Sequence, residues 1–148
     1  MKYEELKHIV ENGILGDFSA NCVQVMKPKF IEYIEDESLT CAYPILQEYL
    51  NPRNTMQGGF MAAAFDNTLG VLVHLATGKV EFTSLDLSVQ YHRPIFEKDE
   101  LTVIAKVQHK GRRIVHVLGE GYNKENKLIA TASSKIMILE KEKFLKNK

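Results

Sequence analysis

An aspartate within an apolar stretch is the residue of this chain with most to explain. The longest apolar run, Phe60 to Ala76, is interrupted by Asp66, Asn67 and Thr68. A carboxylate there must be paired, protonated or turned toward a cleft, because an isolated charge loses its hydration on burial. Gly58 and Gly59 stand near the expected start of a helix. There, unpaired backbone N–H groups and the positive end of the helix dipole favour developing negative charge. Gly59 and Asp66 are seven positions apart, about two turns at 3.6 residues per turn, so they fall on nearly the same helix face. An oxyanion donor and a general base could therefore line one groove, which is the equipment for transferring an acyl group to water. The pattern leaves an alternative open: Gly58-Gly59 as a tight turn, with Asp66 paired to a neighbour or reaching solvent through a helix break at Asn67.

Lys110, Gly111, Arg112 and Arg113 form the densest basic cluster, at a turn between two strand-like runs. Phosphates could be met there by charge-assisted bonds, and a solvated hairpin tip is the alternative. His8, His74, His92, His109 and His116 lack the His-x-x-His or Glu-x-x-His spacing of a metal site, so surface or packing roles are expected. Cys22 and Cys41 are too few for a disulfide scaffold and are expected to be packing or surface residues. No Gly-x-Ser-x-Gly elbow, phosphate-binding P-loop or dinucleotide fingerprint occurs, which disfavours those enzyme classes.

The elements that must hold these groups are legible as periodicities. Leu6, Ile9 and Val10 mark a short amphipathic helix from about Tyr3 to Glu11, within a lead-in covering residues 1–28. Phe30–Glu35 and Leu39–Tyr43 are β-branched and aromatic, separated by the polar Asp36-Glu37-Ser38, and predict two antiparallel strands. After the loop Asn51-Pro52-Arg53-Asn54, the segment Gly58–Ala76 is apolar on nearly every side, which predicts a buried central helix. From Val80 the period becomes two: Leu85, Leu87, Val89 and Tyr91 face one way, and Ser84, Asp86, Ser88 and Gln90 the other. Leu101–His109, Arg113–Tyr122 and Leu128–Leu139 complete a meander of strands, and residues 141–148 form a charged tail.

At 148 residues a single α+β domain is expected, with a curved antiparallel sheet around the long helix. Nineteen basic and nineteen acidic residues cancel, so no global field draws nucleic acid or an anionic membrane. The long apolar run falls short of the roughly 20 residues of a bilayer span, so no membrane association is expected. The acidic start Met1-Lys2-Tyr3-Glu4-Glu5 lacks the basic-then-apolar order of a secretory leader, and a cytoplasmic location is expected.

The run Asn51-Pro52-Arg53-Asn54-Thr55-Met56-Gln57-Gly58-Gly59 resembles the Asn-x-x-Gly-x-x-His-Gly-Gly signature of the PaaI-like hotdog acyl-CoA thioesterases, and Asp66 falls at that family's acid position. The likeness continues through Thr83 to Pro94 and the meander, covering about residues 39–138. It implies a hotdog fold and hydrolysis of an acyl-CoA thioester. Gly59 N–H would polarise the carbonyl, with Asp66 as general base or nucleophile. Asn51 would help position the carbonyl or water, and Ser84 would orient the water beside Asp66, although ordinary exposure on a polar strand face is an equal account of Ser84. Gly58, Thr83, Lys110, Arg112 and Arg113 are expected on the substrate-binding side. No cofactor is expected, coenzyme A entering as part of the substrate. The resemblance also implies a homodimer or homotetramer in which each site takes Asp66 from one chain and Gly59 from the other. Two departures stand out. Gln57 replaces the family's His: its amide can donate and accept, so it is expected to hold the turn within the catalytic set, but it cannot titrate near neutral pH. Asn54 replaces a Gly, which is milder because Asn tolerates the left-handed backbone. The alternatives are a non-catalytic acyl-CoA-binding hotdog protein, for which Gln57 would mark lost activity, and a hotdog hydratase or dehydratase, which would want the missing His.

Overall fold

The computed structural model describes residues 21–140 except Val80, so the expected helix at 3–11 and the tail at 141–148 lie outside the described residues. A short helix α1 (Asn21–Gln24) leads into strands β1 (Lys29–Ile34) and β2 (Ser38–Pro44). A 3-10 turn (Gln47–Tyr49) precedes the long helix α2 (Gly58–Thr77). Then come β3 (Phe82–Ser84), β4 (Ser88–Tyr91), β5 (Glu100–Lys110), β6 (Ile114–Tyr122) and β7 (Leu128–Ile138). They form one antiparallel sheet in the order β1-β2-β5-β6-β7-β3, with β4 also pairing β7. The sheet curves about α2, the hotdog architecture expected from the sequence.

Helix α2 packs chiefly on β5 and also on β2, β6 and β7. Alternate residues of these strands face it: Leu101, Val103 and Ala105 of β5, and Val115 and Val117 of β6, are fully buried. Phe65 is buried in the middle of α2, over Gly119 and Gly121 of β6. A Cβ on Gly119 would stand 2.8 Å from the Phe65 ring and one on Gly121 3.0 Å, so these glycines are the groove that receives the ring. Burying such a ring contributes roughly 1.5–3 kcal/mol. It also fixes the rotation of α2, and hence the direction of the next residue, Asp66.

The helix is not wrapped on every side. Nine of its twenty residues are buried, while Gly59 and Asp66 lie on the opposite, open side. At twenty residues α2 is long and apolar enough to cross a bilayer, so the length criterion did not exclude a span. Its role as core helix under the sheet accounts for its composition.

The single alternating strand expected after Val80 is interrupted. Between the partners Ser84–Ile136 and Ser88–Ser133 the edge advances four residues while β7 advances three. One extra residue reverses the alternation. Asp86 holds the irregularity, its carboxylate accepting from Lys135 N–H at 2.7 Å and its carbonyl from Ser134 Oγ at 2.6 Å. Ser84 therefore shares the helix-facing side with Val89 and Tyr91 instead of opposing them, and Leu85 and Tyr91 are exposed.

Candidate active site

The loop before α2 is built around Asn51. Its Oδ1 accepts from the N–H groups of Arg53 (2.9 Å) and Thr55 (3.2 Å), and its Nδ2 donates to Thr55 Oγ1 (2.9 Å). Asn54 takes the left-handed conformation (φ 61°), as its tolerance for that region allows. Met56 N–H donates to Ile95 O and Gln57 N–H to Tyr49 O, which anchors the chain on both sides as the helix begins. The Asn51 amide is thus used within the loop.

Gln57 is the N-cap residue, extended at φ −62° and ψ 140°, and its side chain makes no capping bond. A Cβ placed on Gly59 would lie 3.1 Å from Gln57 Oε1, so the amide lies beside Gly59. The first intrahelical bond runs from Met61 N–H to Gln57 O. The N–H groups of Gly58, Gly59 and Phe60 precede it, the orphan donors of a helix start. Gly58 is needed for a close approach rather than an unusual φ: Tyr91 Oη donates to its carbonyl at 2.7 Å, and a Cβ there would stand 3.0 Å from the phenol. A surface cleft of about 420 Å³ opens beside this helix start, among Thr55, Met56, Gly58, Met61 and Tyr91.

Seven residues along α2, Asp66 points from the open face toward β3, where Ser84 Oγ stands 3.5 Å from Oδ1, a long contact. The carboxyl surface is open, yet helix and strand crowd it enough for partial desolvation to raise its pKa above the ordinary 3.8, with the Ser84 hydroxyl acting in the opposite direction. A raised pKa makes the carboxylate a better proton acceptor. At about 1.5 Å per residue, Gly59 and Asp66 of one chain are roughly 10 Å apart along the helix. One carbonyl carbon cannot lie within reach of both.

The basic cluster is divided. Val107 pairs Val117 and His109 pairs His116, so one extra residue at Gln108 reverses the faces beyond it. Lys110 turns to the helix side, where its Nζ bonds Asp36 Oδ1 (3.1 Å) and Ala76 O (3.2 Å) at the C-terminus of α2. Arg112 and Arg113 instead join His109, His116 and Lys135 around an outer cleft of about 570 Å³, with Arg113 3.8 Å from Glu140. Thr83, paired with Met137, is exposed on the outer face. The structure thus brings together Gln57, Gly58 and Gly59 at one place and Asp66 with Ser84 at another. Thr83, Arg112 and Arg113 lie outside both groups. Tyr91, His109, His116 and Lys135 were not singled out for the sites from sequence, because only the two extra residues reveal which face they occupy.

Phe65 and Leu69 are fully buried in the core, and Phe60 stacks on Tyr49 at 4.9 Å. Cys41 is buried, its thiol held protonated by desolvation, and Cys22 is exposed. Among the described residues no group of three or more His, Cys, Asp or Glu could hold a metal ion.

Three comparisons bear on this geometry. A search of curated proteins gives no significant match. Among solved structures, zebrafish thioesterase superfamily member 2 aligns at TM-score 0.79 with 19% identity over 94% of this chain and 99% of that one. A hypothetical thioesterase from Streptococcus pneumoniae, solved with coenzyme A, aligns at 0.77 with 20% identity over 84% and 96%. The Escherichia coli PaaI protein of the phenylacetic acid degradation operon aligns at 0.74 with 19% identity over 86% and 95%. The family model described as the thioesterase superfamily matches residues 54–130, more than half of the sequence, from the loop through the helix start and Asp66 into β7. The chain belongs to the thioesterase superfamily and has the hotdog fold of these neighbours.

Proposed function

We propose that this thioesterase hydrolyses an acyl-CoA, with Asp66 and Gly59 supplied to each site by different protomers. The observation that carries the proposal is the Asp66 carboxyl on the open face of α2, with a raised pKa and a hydroxyl beside it, in a chain whose helix start offers unpaired N–H groups. Water attacks the thioester carbonyl carbon while Asp66 takes its proton. The oxygen that becomes negative is met by Gly59 N–H, with the Gln57 amide alongside. Collapse breaks the C–S bond, and the proton held by Asp66 passes to the departing thiolate. If Asp66 attacks directly, the thiolate leaves and an acyl-enzyme anhydride forms that water then opens; opening at Asp66 Cγ during single-turnover hydrolysis in ¹⁸O-water would label the Asp66 carboxyl, which the general-base route never does.

The roughly 10 Å between the two groups within one chain supports a site shared between protomers. So does the sheet edge formed by β3 and β4, which leaves Leu85 and Tyr91 exposed in a single chain. The coenzyme A part of the proposal is supported by the ligand of the Streptococcus relative and by the cationic cleft at Arg112 and Arg113, suited to phosphate groups. Asn51 acts through the shape of the loop.

The test is thiol release from short, long and aromatic acyl-CoAs by the wild type and by Asp66→Ala, with folding of both verified. Turnover that Asp66→Ala abolishes supports the proposal. Absence of wild-type turnover on every member, with acyl-CoA still raising the melting temperature, would replace it by a binding protein in which Gln57 marks the lost activity.

A further inference from the structure

One hydrogen bond at the helix start has no part in the chemistry above. Tyr91 Oη donates to the Gly58 carbonyl oxygen at 2.7 Å, and its ring occupies the space a side chain at Gly58 would need. That carbonyl and the Gly59 N–H are the two ends of a single planar peptide group. A carbonyl oxygen has two lone pairs, and in a helix one of them receives the N–H four residues on. The phenol supplies a second donor. Each draws electron density toward the oxygen and leaves the N–H end of the same peptide more positive, a reinforcement of about 10–30% per bond. The phenol also opposes rotation of a peptide in the first helical turn, where few intrahelical bonds hold the backbone and neighbouring glycines add freedom.

We propose that Tyr91 is a positioning residue for the oxyanion donor, aiming and polarising the Gly58–Gly59 peptide from β4. It reaches that peptide because the extra residue between β3 and β4 turns Tyr91 and Ser84 to the same side. The edge strand thereby supports both halves of the chemistry, Ser84 at the carboxylate and Tyr91 at the donor. This inference rests on the thioesterase proposal for its effect on rate, but the coupling between phenol and peptide can be read without turnover.

The test is Tyr91→Phe, which keeps the ring and removes only the hydroxyl. Losing an oxyanion donor outright costs about 10²–10³ in kcat, so losing its support is expected to lower kcat roughly five- to twenty-fold. KM is expected to stay within about two-fold, because the phenol hydroxyl is engaged with the Gly58 carbonyl and the ring that lines the cleft is kept. Gly58→Ala, whose methyl would displace the phenol, lowers kcat similarly, and the double variant falls little further than either single one.

The independent readout is the amide spectrum of protein labelled with ¹⁵N only at its nine glycines. The Gly59 signal, identified by its loss in Gly59→Ala, moves in Tyr91→Phe while signals from glycines in β6 stay in place. A moved signal with a kcat loss supports the proposal. An unmoved signal overturns it, whatever the rate does, as does a moved signal with unchanged kcat. A moved signal in a protein that turns over no acyl-CoA supports the coupling and sinks the thioesterase reading instead.

Discussion

On the proposed mechanism Asp66 carries the pH dependence, and its sign follows from the direction of its shift. The carboxylate is the working form, so kcat should rise with pH through a value above 3.8 and then level off. Gln57 cannot titrate, so no second limb attributable to that position should appear near neutrality; Gln57→His is expected to add one, visible in a full pH–rate profile. The stability effect runs the other way. A carboxyl whose folded pKa is raised favours the folded state when protonated, and that contribution is lost as pH climbs through the folded value. Asp66→Asn should therefore be inactive yet melt above the wild type at pH 7, with the gap closing as pH falls toward the ordinary carboxylate value; an equal gap across that range would show that burial is not the cause. Asp66, Gly58 and Gly59 were legible in the sequence because a charge and two glycines stand out in an apolar run. Tyr91 was not, because its contact depends on a neighbouring element.

Among the elements, α2 was legible from its long, nearly all-round apolar run, and the three long strands from strand-like runs bounded by turns. The edge strand was not, since Leu85 to Tyr91 alternates in sequence while Asp86, by bonding the β7 backbone, inserts a residue that sequence alternation cannot register. The same kind of slip at Gln108 separated Lys110 from Arg112 and Arg113. The seat of Phe65 also hides from periodicity, because glycines read as turns or breaks. Gly119→Ala would force a methyl against the ring and is expected to cost about 1–3 kcal/mol, measured by chemical denaturation. Because that ring sets the helix rotation, activity should fall by more than the unfolded fraction explains. Activity that tracks the folded fraction alone would show that the seat stabilises without aiming Asp66.

For the molecule as a whole, the proposed sharing of Gly59 and Asp66 between protomers would make assembly a condition of catalysis. Gly59→Pro removes the N–H in a first turn that does not need it for helix bonding, and Asp66→Ala removes the carboxylate. Each variant alone should be inactive, whereas a mixed dimer contains one intact site, so co-expression should restore turnover; no recovery in verified mixed dimers would mean that one chain supplies both groups. If the outer cleft holds phosphates, Arg112→Ala with Arg113→Ala should raise KM several-fold with kcat unchanged, more strongly at low salt. The meander of the last three strands followed from the sequence, whereas the pairing of β2 with β5 and of β7 with β3 did not; the expected pairing of two chains rested on family resemblance alone, since a sheet edge leaves no periodicity of its own.

The irregularity held by Asp86 also bears on aggregation. An uninterrupted exposed edge offers a template on which strand after strand can add. Here the edge consists of runs of three and four residues, offset by one position where Asp86 occupies the ladder. A second chain would need a complementary kink of its own to match that offset, which discourages open-ended growth.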